Sequence, residues 1–231
     1  MTQRTRPGYG GTGPGAFTPD GCSVDLYTRL PVGDEPRIIA DASPPGATLL
    51  ELGCGAGRMT HPLVDSGLEV TAVDESAEML AHVRGARTVR ASIEELDLGE
   101  RFDVVTLASF LVHSGLDGVR DRLLATCRRH VRDDGCVLIQ REGADYHGGV
   151  PRERTLPGGL TIRITSVTPV GDGVDEVHAE YVWPDAVWTQ TFLSRELGPE
   201  EFEGHLAAAG LAIDRVLTDD GIWVRAVPVT G

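Results

Sequence analysis

The chain has 231 residues and a formal net charge of −14 at pH 7, from 35 acidic and 21 basic residues. This length suits one α/β domain with a small additional part. The acidic surface disfavours nucleic acids and anionic membranes as partners. The sequence contains no Lys and no Asn, which excludes Schiff-base chemistry, the phosphate-loop lysine and N-glycosylation.

Neither the cysteines nor the apolar stretches point to an extracellular or membrane protein. The four cysteines form no C-x-x-C pair and predict neither a zinc site nor a disulfide framework. The amino terminus lacks the apolar segment of a secretory signal, and Val104–His113 is too short and polar to span a membrane. We expect a soluble cytoplasmic protein with reduced thiols and no bound metal.

Residues 1–46 are expected to form a flexible arm followed by cap helices. Pro7–Gly15 is rich in glycine and proline, and predicts an arm that is either disordered or a lid. Apolar spacing predicts a short helix from Val24 to Leu30, and a second helix from Glu35 to Ala42.

Residues 47–140 alternate between apolar strands and amphipathic helices. The predicted strands are Thr48–Leu52, Glu69–Val73, Thr88–Ala91, Phe102–Leu107 and Cys136–Gln140. The predicted helices are Arg58–Ser66, Ser76–Val83 and Leu116–Val131, with a turn at 133–135. This alternation favours a doubly wound, mostly parallel, Rossmann-like α/β sheet.

Residues 141–231 have a different pattern. Residues 141–195 begin with a polar loop at Gly143–Gly159 and continue with three strands of period-two alternation, which predicts a small antiparallel insertion: Leu160–Val167, Val174–Trp183 and Val187–Ser194. Residues 196–231 are expected to complete the core sheet with the helix Pro199–Ala209 and an antiparallel hairpin across Asp219–Gly221.

The segment LLELGCGAGRMT carries the strongest signal for a ligand. Gly53, Gly55 and Gly57 follow a strand and precede a helix, where glycine lets backbone N–H groups approach a ligand. Their G-x-G-x-G spacing differs from the G-x-G-x-x-G of dinucleotide sites. Glu51 lies inside the apolar strand, where a carboxylate requires a donor or a cation.

S-adenosylmethionine meets this requirement, because it carries an ammonium and a sulfonium but no phosphate. Asp74 directly follows the next strand, where a carboxylate can accept both ribose hydroxyls. The alternative for Asp74 is to cap the helix that begins near Ser76.

Five segments in order resemble the class I S-adenosylmethionine-dependent methyltransferases, across Ala47–Gln140. They are LELGCGAG, TAVDES, RASIEEL, FDVVTLASFLVH and CRRHVRDDGCVLI. The resemblance implies S-adenosylmethionine as cofactor. It also implies the residues that contact each part of the cofactor. The methionine part contacts Glu51, Gly53, Gly55 and Gly57, and the ribose contacts Asp74, with Glu75 beside it. The adenine lies between Ser92 and Ile93, and Ala108 lies beneath the cofactor. Many relatives carry Asp where this chain has Ser92, although Ser can still accept the adenine hydrogen bond.

His113 is the candidate catalytic base. It follows the strand Phe102–Leu107, at the edge where open α/β sheets bind ligands, and imidazole titrates near neutral pH. The alternative is a structural histidine at a helix start. Other pocket candidates are Tyr27, Tyr146, His147 and Trp188.

The sequence therefore predicts transfer of a methyl group to an oxygen or nitrogen of a small-molecule acceptor. Two alternatives stay open: a nicotinamide-dependent oxidoreductase, and an S-adenosylmethionine-binding protein that does not methylate. In similar proteins an insertion such as 141–195 covers the substrate pocket or forms a homodimer contact. The absence of Asn leaves the Asp, Asp, Asn ligand set of metal-dependent catechol methyltransferases incomplete.

Overall fold

A computed structural model describes residues 5–229 of the chain. The chain divides into two compact units. The first is drawn from Met1–Pro31 and Ala144–Glu196, and the second from Val32–Gly143 and Leu197–Gly231.

Twelve strands and six α-helices are assigned within residues 5–229. The strands are β1 (Gly10–Thr12), β2 (Thr48–Leu52), β3 (Glu69–Asp74), β4 (Arg87–Arg90), β5 (Phe102–Leu107), β6 (Val131–Gln140), β7 (Arg152–Thr155), β8 (Thr161–Gly171), β9 (Val174–Val182), β10 (Val187–Ser194), β11 (Leu211–Val216) and β12 (Trp223–Pro228). The helices are α1 (Val24–Arg29), α2 (Glu35–Asp41), α3 (Thr60–Asp65), α4 (Ala77–Leu80), α5 (Val119–His130) and α6 (Pro199–Ala208). Two short 3-10 helices lie at Ile93–Glu95 and Leu111–His113.

The second unit is a doubly wound α/β fold, as the sequence predicts. Its seven-stranded sheet has the order β11-β12-β6-β5-β2-β3-β4. The strands from β6 to β4 pair in parallel, and the carboxyl-terminal hairpin β11–β12 adds two antiparallel strands. The apolar runs of β2 and β5 are buried because helices cover both faces of a parallel sheet. The chain reverses its direction of winding between β2 and β5, where such sheets bind ligands.

The first unit is an antiparallel sheet of five strands in the order β1-β10-β9-β8-β7. The tight turn between β8 and β9 lies at residues 172–173, and β10 has the predicted bounds. The expectation of a loop throughout 143–159 is wrong at Arg152–Thr155, which pairs with β8.

The expectation of a flexible arm is wrong for Gly10–Thr12. This segment is β1 and pairs with β10, through Gly10 opposite Thr191 and Thr12 opposite Thr189. Glycine is needed at Gly11 because another part of the backbone approaches this strand closely: a Cβ added there would lie 2.3 Å from the carbonyl oxygen of Gly21. The glycines therefore serve packing here rather than mobility.

The predicted turn at Asp133–Gly135 is also wrong, since these residues lie within β6. The pairing of β5 with β6 shifts from Phe102 opposite Val131 to Val104 opposite Cys136, so the extra residues of β6 bulge out of the ladder. A Cβ at Gly135 would lie 2.6 Å from the carbonyl oxygen of Asp103, so glycine here allows close approach of strands rather than a chain reversal.

The predicted helices all form, but they are shorter than the apolar spacing suggests. The helix expected at Arg58–Ser66 is α3, Thr60–Asp65, because the glycine-rich turn extends to Met59. The helix expected at Ser76–Val83 is α4, only Ala77–Leu80. The helix expected at Leu116–Val131 is α5, which begins at Val119 because Gly118 before it has a left-handed conformation. Within residues 5–229, no helix is both long and apolar enough to cross a membrane.

Candidate functional site

Three neighbouring strands of the second unit end at the same level of the sheet. Leu52 of β2 is paired with Val73 of β3 on one side and with Leu107 of β5 on the other. The residues that follow are therefore neighbours at the carboxyl edge, and they are three of the predicted cofactor contacts: Gly53, Asp74 and Ala108.

The glycine-rich turn has the conformation that its sequence requires. Gly53, Gly55 and Gly57 have φ angles of 74°, 55° and 87°, which lie in the left-handed region. A Cβ at Gly53 would lie 3.0 Å from Leu111 Cδ1 and 3.5 Å from Ile93 Cδ1. The turn, the segment after β4 and the segment after β5 thus converge at Gly53, and a side chain there would occupy the space between them.

Asp74 joins the turn to the start of the next helix. Its Oδ2 accepts the N–H of Gly55 at 2.9 Å, and its Oδ1 accepts the N–H of Ser76 at 2.9 Å. The cap of α4 itself is Ser76, whose hydroxyl accepts the N–H of Met79 at 3.1 Å, so Asp74 holds the residue that caps this helix. Because each carboxylate oxygen has a second lone pair, Asp74 can also accept hydroxyl hydrogen bonds in the role predicted from the sequence.

Glu51 is a buried carboxylate with one oxygen that lacks a partner. Its side chain is 1% exposed, and Oε2 accepts the hydroxyl of Thr60 at 2.6 Å. Oε1 has no hydrogen-bond partner among the described residues. Burial raises the pKa of Glu51 to about 7, against the opposing effects of Thr60 and Arg58. An ammonium group meets both deficits of this carboxylate, since it donates hydrogen bonds and compensates the charge.

The other predicted cofactor contacts lie directly after β3 and on the segment after β4. Glu75 follows Asp74, and its carbonyl accepts the Nε of Arg90 at 3.1 Å. Ser92 precedes the 3-10 helix that Ile93 begins, and donates its hydroxyl to Glu94. Ile93 is half-buried and its carbonyl accepts the hydroxyl of Thr126 at 2.9 Å. The adenine roles of Ser92 and Ile93 stay predictions.

The segment after β5 is held in a strained conformation. Ser109 and Phe110 have φ angles of 54° and 60°, which residues other than glycine rarely adopt. The N–H of Ser109 donates to Oε1 of the buried Gln140 at 2.8 Å. The Nε of Arg120 donates to the carbonyl of Val112 at 2.7 Å. Side chains from β6 and α5 therefore fix the path of this segment.

His113 lies at the end of that segment and is paired with Glu142. Its Nε2 accepts the backbone N–H of Glu142 at 3.0 Å, and its Nδ1 lies 3.3 Å from Glu142 Oε2. Both side chains are 3% exposed. The catalytic role of His113 stays a prediction, and it requires that Nε2 exchange the Glu142 N–H for a proton of the acceptor.

The sequence reasoning missed Gln140 and Glu142. The signal was present in CVLIQRE, where polar residues interrupt the end of an apolar strand as Glu51 does in β2. It was not decisive, because only the pairing of β5 with β6 brings this strand end beside the segment that carries His113.

The remaining pocket candidates belong to the first unit, where each has contacts. Tyr27 accepts the thiol of Cys22, and the Nε1 of Trp188 donates to the carbonyl of Pro14 at 2.8 Å. His147 Nδ1 lies 2.7 Å from Asp175 Oδ2, and Tyr146 contacts the His147 ring edge to face. These contacts account for the four side chains as parts of the first unit.

Metal and thiol chemistry have little support in the second unit. Across residues 5–229, no three His, Cys, Asp or Glu side chains are grouped so as to hold a metal ion. Cys54 is buried between the glycines, and burial raises its pKa well above the usual range of a thiol. A thiol that stays protonated is a poor nucleophile, so Cys54 serves here as a small buried side chain.

A family profile described as a methyltransferase domain matches residues 50–137. Among curated relatives, an N,N-dimethyltransferase of dTDP-3-amino-3,6-dideoxy-α-D-glucopyranose from Streptomyces fradiae is 28% identical over 78% of this chain and 76% of its own length. A cypemycin N-terminal methyltransferase from a Streptomyces species is 32% identical over 55% of this chain and 56% of its own length.

Solved structures share the fold at low sequence identity. An S-adenosylmethionine-dependent methyltransferase from Clostridium acetobutylicum has a TM-score of 0.70 and 14% identity, over 89% of this chain and 95% of that chain. A sugar N-methyltransferase from a Streptoalloteichus species has a TM-score of 0.67 and 22% identity, over 91% and 94% of the two chains. An amino pentose methyltransferase from Micromonospora echinaspora, solved with the cofactor bound, has a TM-score of 0.68 and 20% identity, over 88% and 95%.

Proposed function

We propose that this chain is a class I S-adenosylmethionine-dependent methyltransferase that methylates the amino nitrogen of a small, sugar-like acceptor. The observation that carries the proposal is the extent of one match. The similarity to the amino-sugar N,N-dimethyltransferase covers 78% of the chain, whereas that to a ubiquinone biosynthesis O-methyltransferase of Rickettsia conorii covers 39%. A match limited to about the length of the cofactor-binding core carries little information on the acceptor.

The charge of the chain supports the same class of acceptor. A net charge of −14 attracts a cationic amine and disfavours a nucleic acid, because the repulsion grows with the number of phosphates and is far larger for a polymer than for one diphosphate.

The described residues fit S-adenosylmethionine, which supplies an activated methyl group when it is bound. Oε1 of Glu51 would accept the α-ammonium, and the left-handed turn at Gly53–Gly57 would leave room for the methionine part. Asp74 would accept the ribose hydroxyls, with Glu75 beside it, and Ser92 and Ile93 would border the adenine. Ala108, directly after β5, would lie beneath the cofactor.

Methyl transfer then depends on the acceptor. Its nitrogen must lie about 3 Å from the methyl carbon and in line with the carbon–sulfur bond. The nitrogen–carbon bond forms as the carbon–sulfur bond breaks, which leaves S-adenosylhomocysteine and one proton. An amine enters largely as an ammonium ion, so that proton must first leave the nitrogen, and we assign His113 as its acceptor.

A matched pair of acceptors tests the proposal. The purified protein is incubated with S-adenosylmethionine and either dTDP-3-amino-3,6-dideoxy-α-D-glucopyranose or the same nucleotide sugar with a 3-hydroxyl group. We expect mass spectrometry to detect one or two added methyl groups on the amine alone, with matching S-adenosylhomocysteine. Methylation of the hydroxyl compound alone would show an O-methyltransferase. Cofactor binding without a product on either compound or on a panel of free amino sugars would favour the non-methylating alternative.

A further inference from the structure

His113 and Glu142 form a closed pair in which one residue satisfies both nitrogens of the ring. The backbone N–H of Glu142 donates to Nε2 at 3.0 Å, and the carboxylate lies 3.3 Å from Nδ1. A carboxylate accepts hydrogen bonds only, so Nδ1 carries the proton and Nε2 carries the lone pair. The pair therefore fixes one neutral tautomer of His113.

The two contacts from Glu142 have opposite effects on a protonated ring. An imidazolium would place an N–H on Nε2 against the N–H of Glu142, so the backbone contact opposes protonation. The carboxylate favours it, because a hydrogen bond from a charged donor to a charged acceptor is roughly twice as strong as a neutral one. The side chain of Glu142 thus sets how readily His113 takes a proton.

A positive charge near the pair increases the need for the carboxylate. Arg120 of α5 donates to the carbonyls of Val112 and Ser114, which flank His113 in the chain. Its guanidinium disfavours a second positive charge on the imidazole. Glu142 is the anion that the described contacts place against the ring.

The chemistry proposed above needs such support. Imidazole has an ordinary pKa near 6.5 and an alkyl ammonium one near 10, so the proton transfer is uphill by roughly three to four pKa units. We infer that Glu142 is a positioning residue for methyl transfer, which holds His113 in the Nδ1–H tautomer and stabilises the imidazolium formed when Nε2 takes the acceptor's proton. This inference rests on the proposed N-methylation.

The variant Glu142→Gln separates the two contacts. The backbone N–H that holds Nε2 is unchanged, and the amide oxygen of Gln can still accept from Nδ1–H, so only the charge is lost. We expect kcat to fall by about tenfold to a hundredfold, as for loss of one charge-assisted hydrogen bond, while the Kd for S-adenosylmethionine stays near its wild-type value. The acid limb of the pH–rate profile should move to lower pH, because His113 is then harder to protonate.

Three further variants supply the controls. Glu142→Asp keeps the charge and should recover part of kcat. Glu176→Gln makes the same change at an exposed position of β9 and should leave the rate unaltered. In a His113→Ala background, Glu142→Gln should not lower kcat further, because Glu142 acts through the imidazole ring.

Nuclear magnetic resonance of ring-labelled histidine keeps this test separate from the identity of the acceptor. The pKa of His113 should be lower in Glu142→Gln than in the wild type, whichever acceptor the enzyme uses. Failure of all amines as acceptors, with this pKa difference intact, would sink the proposed function and leave the pairing standing. If Glu142→Gln has the wild-type pH profile and the wild-type kcat on an accepted amine, the inference is overturned and the proposed function stands. The same holds if Glu142→Gln lowers kcat in the His113→Ala background.

Discussion

Thr60 donates its hydroxyl to Oε2 of Glu51 at 2.6 Å, whereas Oε1 of this buried carboxylate has no hydrogen-bond partner within residues 5–229. The arrangement is unfavourable in the absence of a ligand, because burying an ionised carboxylate with incomplete hydrogen bonding costs free energy. A cationic ligand that donates a hydrogen bond to Oε1 would therefore offset this unfavourable free energy.

The first prediction concerns stability without cofactor. The folded-state pKa of Glu51 is raised from 4.5 to about 7, so the folded protein binds more protons than the unfolded chain between these values, and the free energy of unfolding falls as pH rises through this window. Glu51→Gln removes the effect and keeps an acceptor for Thr60. Urea denaturation should show the variant more stable than wild type at pH 8, by up to about 3 kcal/mol, and similar to it at pH 5. Equal stability at both values would contradict the raised pKa.

The second prediction concerns the cofactor. Because the ammonium of S-adenosylmethionine requires the ionised carboxylate, wild-type affinity should fall as pH drops below about 7, at most tenfold per pH unit. Calorimetric titrations at several pH values check this. Glu51→Gln should bind more weakly at pH 8 and show little pH dependence between 5 and 7. A variant that retains wild-type affinity at pH 8 would place the ammonium elsewhere.

Asp74 gives a third prediction, for ribose recognition. Asp74→Ala should raise the Kd for S-adenosylmethionine by more than tenfold, since each hydrogen bond to a charged group contributes about 1.5–3 kcal/mol. Asp74 also accepts the N–H groups of Gly55 and Ser76, so Asp74→Asn, which keeps one acceptor oxygen, separates ribose binding from the shape of the turn. The matched control is Asp65→Ala at an exposed position of α3. An unchanged Kd in both Asp74 variants would remove this residue from the site.

The strained segment after β5 gives a fourth prediction. Gln140→Leu removes the acceptor for the N–H of Ser109 and should destabilise the protein by about 1–3 kcal/mol, the cost of one buried donor left without a partner. The loss should exceed that of Thr165→Val, which removes a side-chain hydrogen bond on β8. Thermal denaturation measures both. A Gln140→Leu variant as stable as wild type would show that the left-handed residues are held by other contacts.

The fifth prediction tests His113 as the proton acceptor. His113→Ala should lower turnover by about 10² to 10⁴, the usual range for loss of a general base, and should remove a single ionisation from the pH–rate profile. The Kd for S-adenosylmethionine should change little. His113→Gln, whose amide oxygen can accept the N–H of Glu142, controls for loss of folding. Full activity in either variant would show that catalysis rests on positioning alone, and failure to bind the cofactor would make His113 part of the pocket wall.

The sequence by itself determined the order and type of the main elements. Strands buried on both faces must be almost wholly apolar, and glycine at positive φ is nearly obligatory, so the runs TLLEL and FDVVTL and the spacing of Gly53, Gly55 and Gly57 are local signals. Glu51 and Asp74 were visible for the same reason, because a carboxylate at the end of an apolar strand breaks the pattern.

Only the tertiary structure decided which strand ends meet. Gln140 and Glu142 are distant in sequence from Ser109 and His113, and the parallel pairing of β5 with β6 brings them together. Whether Gly10–Thr12 is an arm or a strand, and whether Asp133–Gly135 turns or bulges, also depended on a partner backbone. Local propensity has no access to such contacts, since hydrogen bonds between strands are made by residues far apart in the chain.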